Sequence, residues 1–335
     1  MRKLYLTVIL SSLAGLLFGV DLNAAGATFP EPLYAAMFKQ YTTHRVNYQG
    51  IGSGGGIKQL LAKTVDFAGS DAPLNEDEKK QAGAEVLHIP VAMGAIVMAY
   101  NLPGNPKLVL DGDTIAQIYL GKITKWNDPA IAALNPGVQL PDLNIVVVRR
   151  SDSSGTSYNF TLYLTKVSEE WAKEVGTSKA PKWPVGIGGK GNPGVAAYVK
   201  QVPGSIGYVE LAYAKQNGLA YARLKNASGV VVDADIKSMS AAIQTVPADG
   251  IVDVVDSKAK DAYPIAATTW ILLYKDLSYL KDQARAKAIV ETIWWMVHDG
   301  QKINPTLDYG PISAQAIKVA ENLLNSVVFN GKKVR

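Results

Sequence analysis

Short apolar runs alternate with segments of helical period along nearly the whole chain, and this alternation limits the fold more than any other feature. Runs at 45–49, 65–70, 89–93, 95–99, 145–148, 205–210 and 268–274 read as strands. Helical spacing falls between them, after residue 30, up to residue 63, over 113–119, 131–134, 158–164 and 193–202, and through most of the chain beyond 284. The run 145–148 has no polar residue at alternate positions, as expected of a strand covered on both faces. Strand–helix alternation of this kind gives mainly parallel sheets flanked by helices, so the expected class is α/β. The length of 335 residues suggests two domains at roughly 150 residues each. The Asn/Pro/Gly stretch 101–106 is a candidate crossing between them, and 268–274 a candidate return.

The N-terminus follows another pattern. Arg2 and Lys3 precede a run without charge over 4–20, and small or polar residues follow at Asp21, Asn23, Ala24 and Ala25. A basic head, an apolar middle and a small-residue exit form a secretory signal peptide, expected here over 1–24 with cleavage near Ala24 or Ala25. The expected location is therefore a bacterial periplasm. The chain has no cysteine, which removes disulfides, lipid attachment through a lipobox, thiolate nucleophiles and thiolate metal sites. Its three histidines, His44, His88 and His298, are far apart in sequence, so neither a metal nor another cofactor is expected. The net charge of +5 invites a nucleic-acid partner, but the only basic cluster is Lys332, Lys333 and Arg335 at the tail, and none is expected.

Three loops share one design, an extended piece, then small residues, then a helix start. They are Gly26-Ala27-Thr28-Phe29-Pro30, the cluster from Gly50 to Gly56 with Ser53 inside it, and Ser153-Ser154-Gly155-Thr156-Ser157. A helix start leaves N–H groups unpaired and carries partial positive charge, while Ser and Thr add rotatable donors. Each loop alone is an ordinary helix cap. Three converging loops make a pocket for a tetrahedral anion. Arg150 stands at the end of the run 145–148 with a donor fork that matches phosphate oxygens, and Asp152 is placed to orient it. Asp71 ends the run 65–70. An ionised carboxylate only accepts hydrogen bonds, so beside an anion it selects one that carries a proton and repels sulfate, which has none at neutrality.

Enzyme motifs fit less well. Gly50-x-Gly52-x-x-Gly55 with Asp71 about 20 residues on matches a dinucleotide fingerprint, but an exported chain is a poor setting for a nicotinamide cofactor. A phosphate-binding P-loop fails because no Lys follows the last glycine, and Ser278-x-x-Lys281 lacks the companion motifs of penicillin-binding enzymes.

With these residues in view, the sequence resembles the periplasmic phosphate-binding proteins of bacterial ABC phosphate importers. The resemblance rests on Gly26-Ala27-Thr28-Phe29-Pro30, Tyr48-Gln49-Gly50-Ile51-Gly52-Ser53, the segment from Val65 to Leu74, Trp126-Asn127-Asp128-Pro129 and the segment from Arg149 to Ser157. It implies a two-lobed binding-protein fold, each lobe a mainly parallel sheet flanked by helices and joined to the other by hinge strands. Lobe one is expected over 25–103 plus 264–335, and lobe two over 104–263. The resemblance also implies a site in which Thr28, Phe29, Ser53, Ser154, Gly155 and Thr156 donate, Asp71 accepts the phosphate proton, and Arg150 pairs with the anion while Asp152 supports it. Gly54 stands where members of the family often carry a second Ser. The implied function is a non-enzymatic receptor, a monomer, that binds inorganic phosphate and hands it to an inner-membrane permease and its ATPase. Receptors for sulfate or molybdate and a secreted phosphatase are the alternatives.

Overall fold

The computed structural model describes residues 19–335 apart from Gln244. Strand β1 (Asp21–Gly26), helix α1 (Glu31–Gln40), strand β2 (Arg45–Gly50), helix α2 (Ser53–Leu61) and strand β3 (Phe67–Ser70) follow in chain order. β1 lies between β2 and β3 and is parallel to both. The signal peptide expected over 1–24 overlaps this sheet. Residues 1–18 lie outside those described, but Asp21 to Ala24 are paired with Arg45 to Tyr48, and Leu22 and Ala24 are buried. Cleavage near Ala24 would remove most of β1. An apolar leader and an apolar strand look alike in sequence, so the boundary between them was not visible.

Strand β4 (Val86–Tyr100) is buried at every residue after the first. The sequence suggested two runs, 89–93 and 95–99, separated at Gly94; the structure makes one strand of them. Gly94 is needed because the Phe29 ring packs over it, and a Cβ there would stand 2.4 Å from Phe29 Cζ. Further along come β5 (Val146–Arg150), helix α3 (Gly155–Val167), β6 (Ile187–Gly189), helix α4 (Gly191–Gln201), β7 (Ser205–Glu210), β8 (Ala220–Tyr221) and β9 (Ala266–Tyr274). The helices Gln283–Val297 (α5) and Ala314–Asn325 (α6) then complete the first half.

These nine strands form one sheet in the order β2-β1-β3-β9-β4-β7-β5-β6, with β8 also on β4. β4 pairs with β9 from Val86 to Ala95 and with β7 from Ile96 to Tyr100. It therefore belongs to both halves of the molecule, and the changeover falls between Ala95 and Ile96, inside the strand and before the breaker at 101–106. β1, β2 and β3 are parallel in one half, and β5, β6 and β7 in the other. Ligands of such sheets bind at the carboxyl ends of the strands. Here those ends are Gly26, Gly50, Ser70, Arg150 and Gly189, and the loops that leave them face one another across the two halves.

Candidate functional site

The loops after β1, β2 and β3 meet those after β5 and β6 through direct hydrogen bonds. Gly155 N donates to Ser53 Oγ at 3.1 Å, Gly54 N to Ser153 O at 3.0 Å, Asn159 Nδ2 to Asp71 O at 2.6 Å, and Asn192 N to Thr28 Oγ1 at 3.0 Å. The cleft is closed, and Thr28, Ser53, Asp71, Arg150, Ser154 and Thr156 are all buried. Gly155 permits this approach, because a Cβ on it would stand 2.5 Å from Ser53 Oγ and 2.7 Å from Asp71 Oδ2.

The hydroxyl groups are set as donors. A hydroxyl has two lone pairs and one proton. Ser53 Oγ accepts from Asp71 N at 3.2 Å as well as from Gly155 N, so both of its lone pairs are used. Thr28 Oγ1 accepts from Asn192 N and Nδ2, each at 3.0 Å. Thr156 Oγ1 accepts from Asn192 Nδ2 at 3.0 Å, and Ser154 Oγ caps α3 by accepting from Ser157 N at 3.0 Å. Four buried oxygens thus take N–H groups from the scaffold and keep their own protons to give.

Arg150 supplies the cation. Its Nε donates to Asp152 Oδ1 at 2.7 Å and its Nη2 to Oδ2 at 2.6 Å, a two-pronged pair. Nη1 is buried and has no protein partner. Burial pushes the Asp152 carboxyl up, but the bonds and charge of Arg150 and the Gly191 N–H outweigh it and hold the group below the usual carboxylate range. Asp71 behaves otherwise. Burial raises it to about 7, against the opposing effects of the Thr269 hydroxyl, the Arg150 charge and the Ser53 hydroxyl. Thr269 Oγ1 donates to Asp71 Oδ1 at 2.8 Å, and Oδ2 lies toward the start of α3. The site therefore combines one cation, two carboxylates in different states and several neutral donors. That set suits an anion that still carries a proton.

All nine residues singled out from the sequence (Thr28, Phe29, Ser53, Asp71, Arg150, Asp152, Ser154, Gly155 and Thr156) lie at this junction. Two backbone donors point elsewhere than expected: Gly155 N is engaged by Ser53 Oγ, and Ser154 N by Lys179 O at 2.8 Å. The Phe29 carbonyl accepts from Tyr309 Oη at 2.6 Å, which holds the first loop in place. Sequence reasoning missed Asn192, Asn159 and Thr269. For Asn192 a signal existed, because Gly188-Gly189-Lys190-Gly191-Asn192 repeats the design of the other loops. Thr269 sits inside an apolar run and gave none.

A family model described as a PBP superfamily domain matches residues 19–288. The phosphate-binding protein PstS of Xylella fastidiosa is 45% identical over 313 residues, covering 90% of this chain and 84% of its own. That of Pasteurella multocida is 42% identical over 326 residues, covering 95% and 93%. Among solved structures, a high-affinity periplasmic phosphate-binding protein bound with phosphate superposes with a TM-score of 0.73 at 20% identity, covering 90% of this chain and 93% of that one. A putative phosphate ABC transporter substrate-binding protein from Clostridium perfringens, also with bound phosphate, gives 0.63 at 20% identity, covering 88% and 100%. At such identities the superpositions establish the fold.

Proposed function

Since the chain belongs to the PBP superfamily and to the family of PstS phosphate-binding proteins, we propose that it is a receptor that closes on one inorganic phosphate and delivers it to an ABC-type permease and its ATPase. One observation carries this reading. Four hydroxyls that each accept an N–H from the scaffold, Ser53 and Thr28 with both lone pairs occupied, converge with an unpaired Arg150 Nη1 and an acceptor, Asp71. The neutral donors bind the oxygens, and Asp71 takes the hydrogen bond of the protonated one. In the water-excluded cleft each bond is stronger than in solvent. Closure shifts the population toward the form seen here when the anion bridges both halves.

The protein acts as a monomer in the periplasm, with the lobe bounds expected at 25–103 plus 264–335 and at 104–263 moved to the strand changeover: lobe one over 21–95 plus 266–335 and lobe two over 96–265. Its leader ends before Asp21, which leaves β1 whole. Among the described residues no helix is long and apolar enough to cross a membrane. The assigned role is capture and transfer, without chemical change to the anion.

Calorimetric titration of the protein, stripped of bound anion by reversible unfolding, tests the reading. Phosphate and arsenate bind tightly, and sulfate does not. Equal affinity for sulfate, or no heat with phosphate, overturns it. Steady release of phosphate from a phosphoester in proportion to protein added would establish the phosphatase alternative instead.

A further inference from the structure

Asp71 discriminates only while one of its oxygens stays an acceptor that faces the anion, and the structure shows what fixes that state. Thr269, on β9, is fully buried and has one proton to give. Ser70 O lies 3.5 Å from its Oγ1 and Asp71 Oδ1 lies at 2.8 Å, so the proton goes to the carboxyl. Behind Thr269 is Tyr34 of α1, a fully buried phenol whose oxygen has no hydrogen-bond partner and which lies beside Thr269 and Asp71. Burial and the Asp71 charge hold that phenol well above its usual range, so it stays protonated and neutral. Tyr34 is thus a neutral phenol beside a pair in which the Thr269 proton points to Oδ1. Oδ2 remains free on the side of Ser53 and Gly155.

We propose that Thr269, backed by Tyr34, is a specificity-determining residue: by donating to Oδ1 it keeps Asp71 an acceptor, and so sets the preference for a protonated oxyanion over an unprotonated one. The inference rests on the phosphate reading. Without the Thr269 hydroxyl, Asp71 loses the strongest of the effects that favour its ionised form and takes up a proton more readily. A protonated Asp71 donates, and then sulfate is accepted. The groups that face Asp71 are Arg150 at the end of β5, Tyr34 of α1, Tyr48 of β2 and Tyr309 ahead of α6, and of these only Arg150 carries charge near neutrality.

The test is titration of the wild type, Thr269→Val, Thr269→Ser and Tyr34→Phe with phosphate and with sulfate, on both sides of neutrality. In Thr269→Val phosphate binding weakens by roughly tenfold or more, as for loss of a hydrogen bond to a charged group. Sulfate binding becomes measurable and is strongest at the acid side. Thr269→Ser restores the wild-type ratio of the two affinities, and Tyr34→Phe narrows it less than Thr269→Val does. A Thr269→Val protein that weakens both anions alike, or neither, overturns the inference while leaving the receptor reading intact. A wild type that fails to bind phosphate overturns both. Should Thr269→Val not fold, Tyr34→Phe decides: a narrowed ratio supports the inference and an unchanged one overturns it.

Discussion

Replacing Asn192 with Ala separates closure of the cleft from stability of the fold. The side chain makes three hydrogen bonds, from Nδ2 to Thr28 Oγ1 and to Thr156 Oγ1 at 3.0 Å each, and to Oδ1 from Glu210 N at 2.9 Å. Only the bond to Thr28 joins the two halves, so only that one depends on closure. Its loss costs about 1 kcal/mol, since the backbone N–H of Asn192 still reaches Thr28. At 1.4 kcal/mol per decade, phosphate affinity then falls roughly fivefold. The bond to Glu210 N lies within one half and persists when the cleft opens. Truncation leaves that buried N–H unpaired, at about 1–3 kcal/mol. For a chain of this length, each kcal/mol lowers Tm by roughly 1–2 °C. Calorimetric titration paired with thermal unfolding, with and without phosphate, reads both effects. The expected result is a modest loss of affinity together with a Tm lower by a few degrees in either state. A lower Tm with affinity unchanged would refute the role of Asn192 as a latch. A loss of affinity beyond a hundredfold would show that Asn192 holds the anion itself.

Other substitutions follow from the same geometry. In the closed cleft Asp71 moves from 3.8 to about 7, so its proton stabilises the closed, anion-free form below about pH 4, and that stabilisation is lost as pH rises toward 7. Asp71→Asn removes a cost of roughly 4 kcal/mol at most. Small-angle scattering of the phosphate-free variant is therefore expected to show more of the compact, closed form than the wild type in alkaline buffer and an equal share near pH 4, while its preference for phosphate over sulfate collapses; equal profiles across pH would contradict the burial argument. Gly155→Ala drives a methyl into Ser53 Oγ and Asp71 Oδ2, and titration is expected to show phosphate affinity reduced by orders of magnitude. Because Ala favours the helix, the unliganded Tm should change little. Arg285→Ala strips the two-pronged partner from Asp66, which is buried under β1. Unfolding by denaturant should reveal a loss of about 2–3 kcal/mol, with phosphate affinity held within about twofold because the pair lies away from the cleft.

Much of the site was legible because its loops keep a local signature, an extended run that breaks into small residues and then a helix. Thr28, Ser53 and Ser154 could be found that way, and Asp71 and Arg150 by their places at the ends of apolar runs. Asn192 was harder. The strand before it, Ile187–Gly189, is three residues long with two glycines, too short for alternation to register. Thr269 was hidden for the opposite reason. Ala266–Tyr274 is buried throughout, and one hydroxyl in such a run reads as filler until the neighbouring strand is known. Register with β3 places Trp270 opposite Ser70 and brings its neighbour beside Asp71. The length of β4 was obscured by Gly94, a breaker by its type that here makes room for Phe29.

The strand order also governs when the molecule can form. β9 lies between β3 and β4, although about 165 residues of chain separate it from β4. Until residues 266–274 have emerged, the two earlier strands have an unfilled slot between them, and the half that contains the N-terminus cannot finish. A chain made from its N-terminus thus stays without its completed first half until about four-fifths of it has been synthesised. The late strand therefore commits the polypeptide to the native sheet only once most of the chain is present.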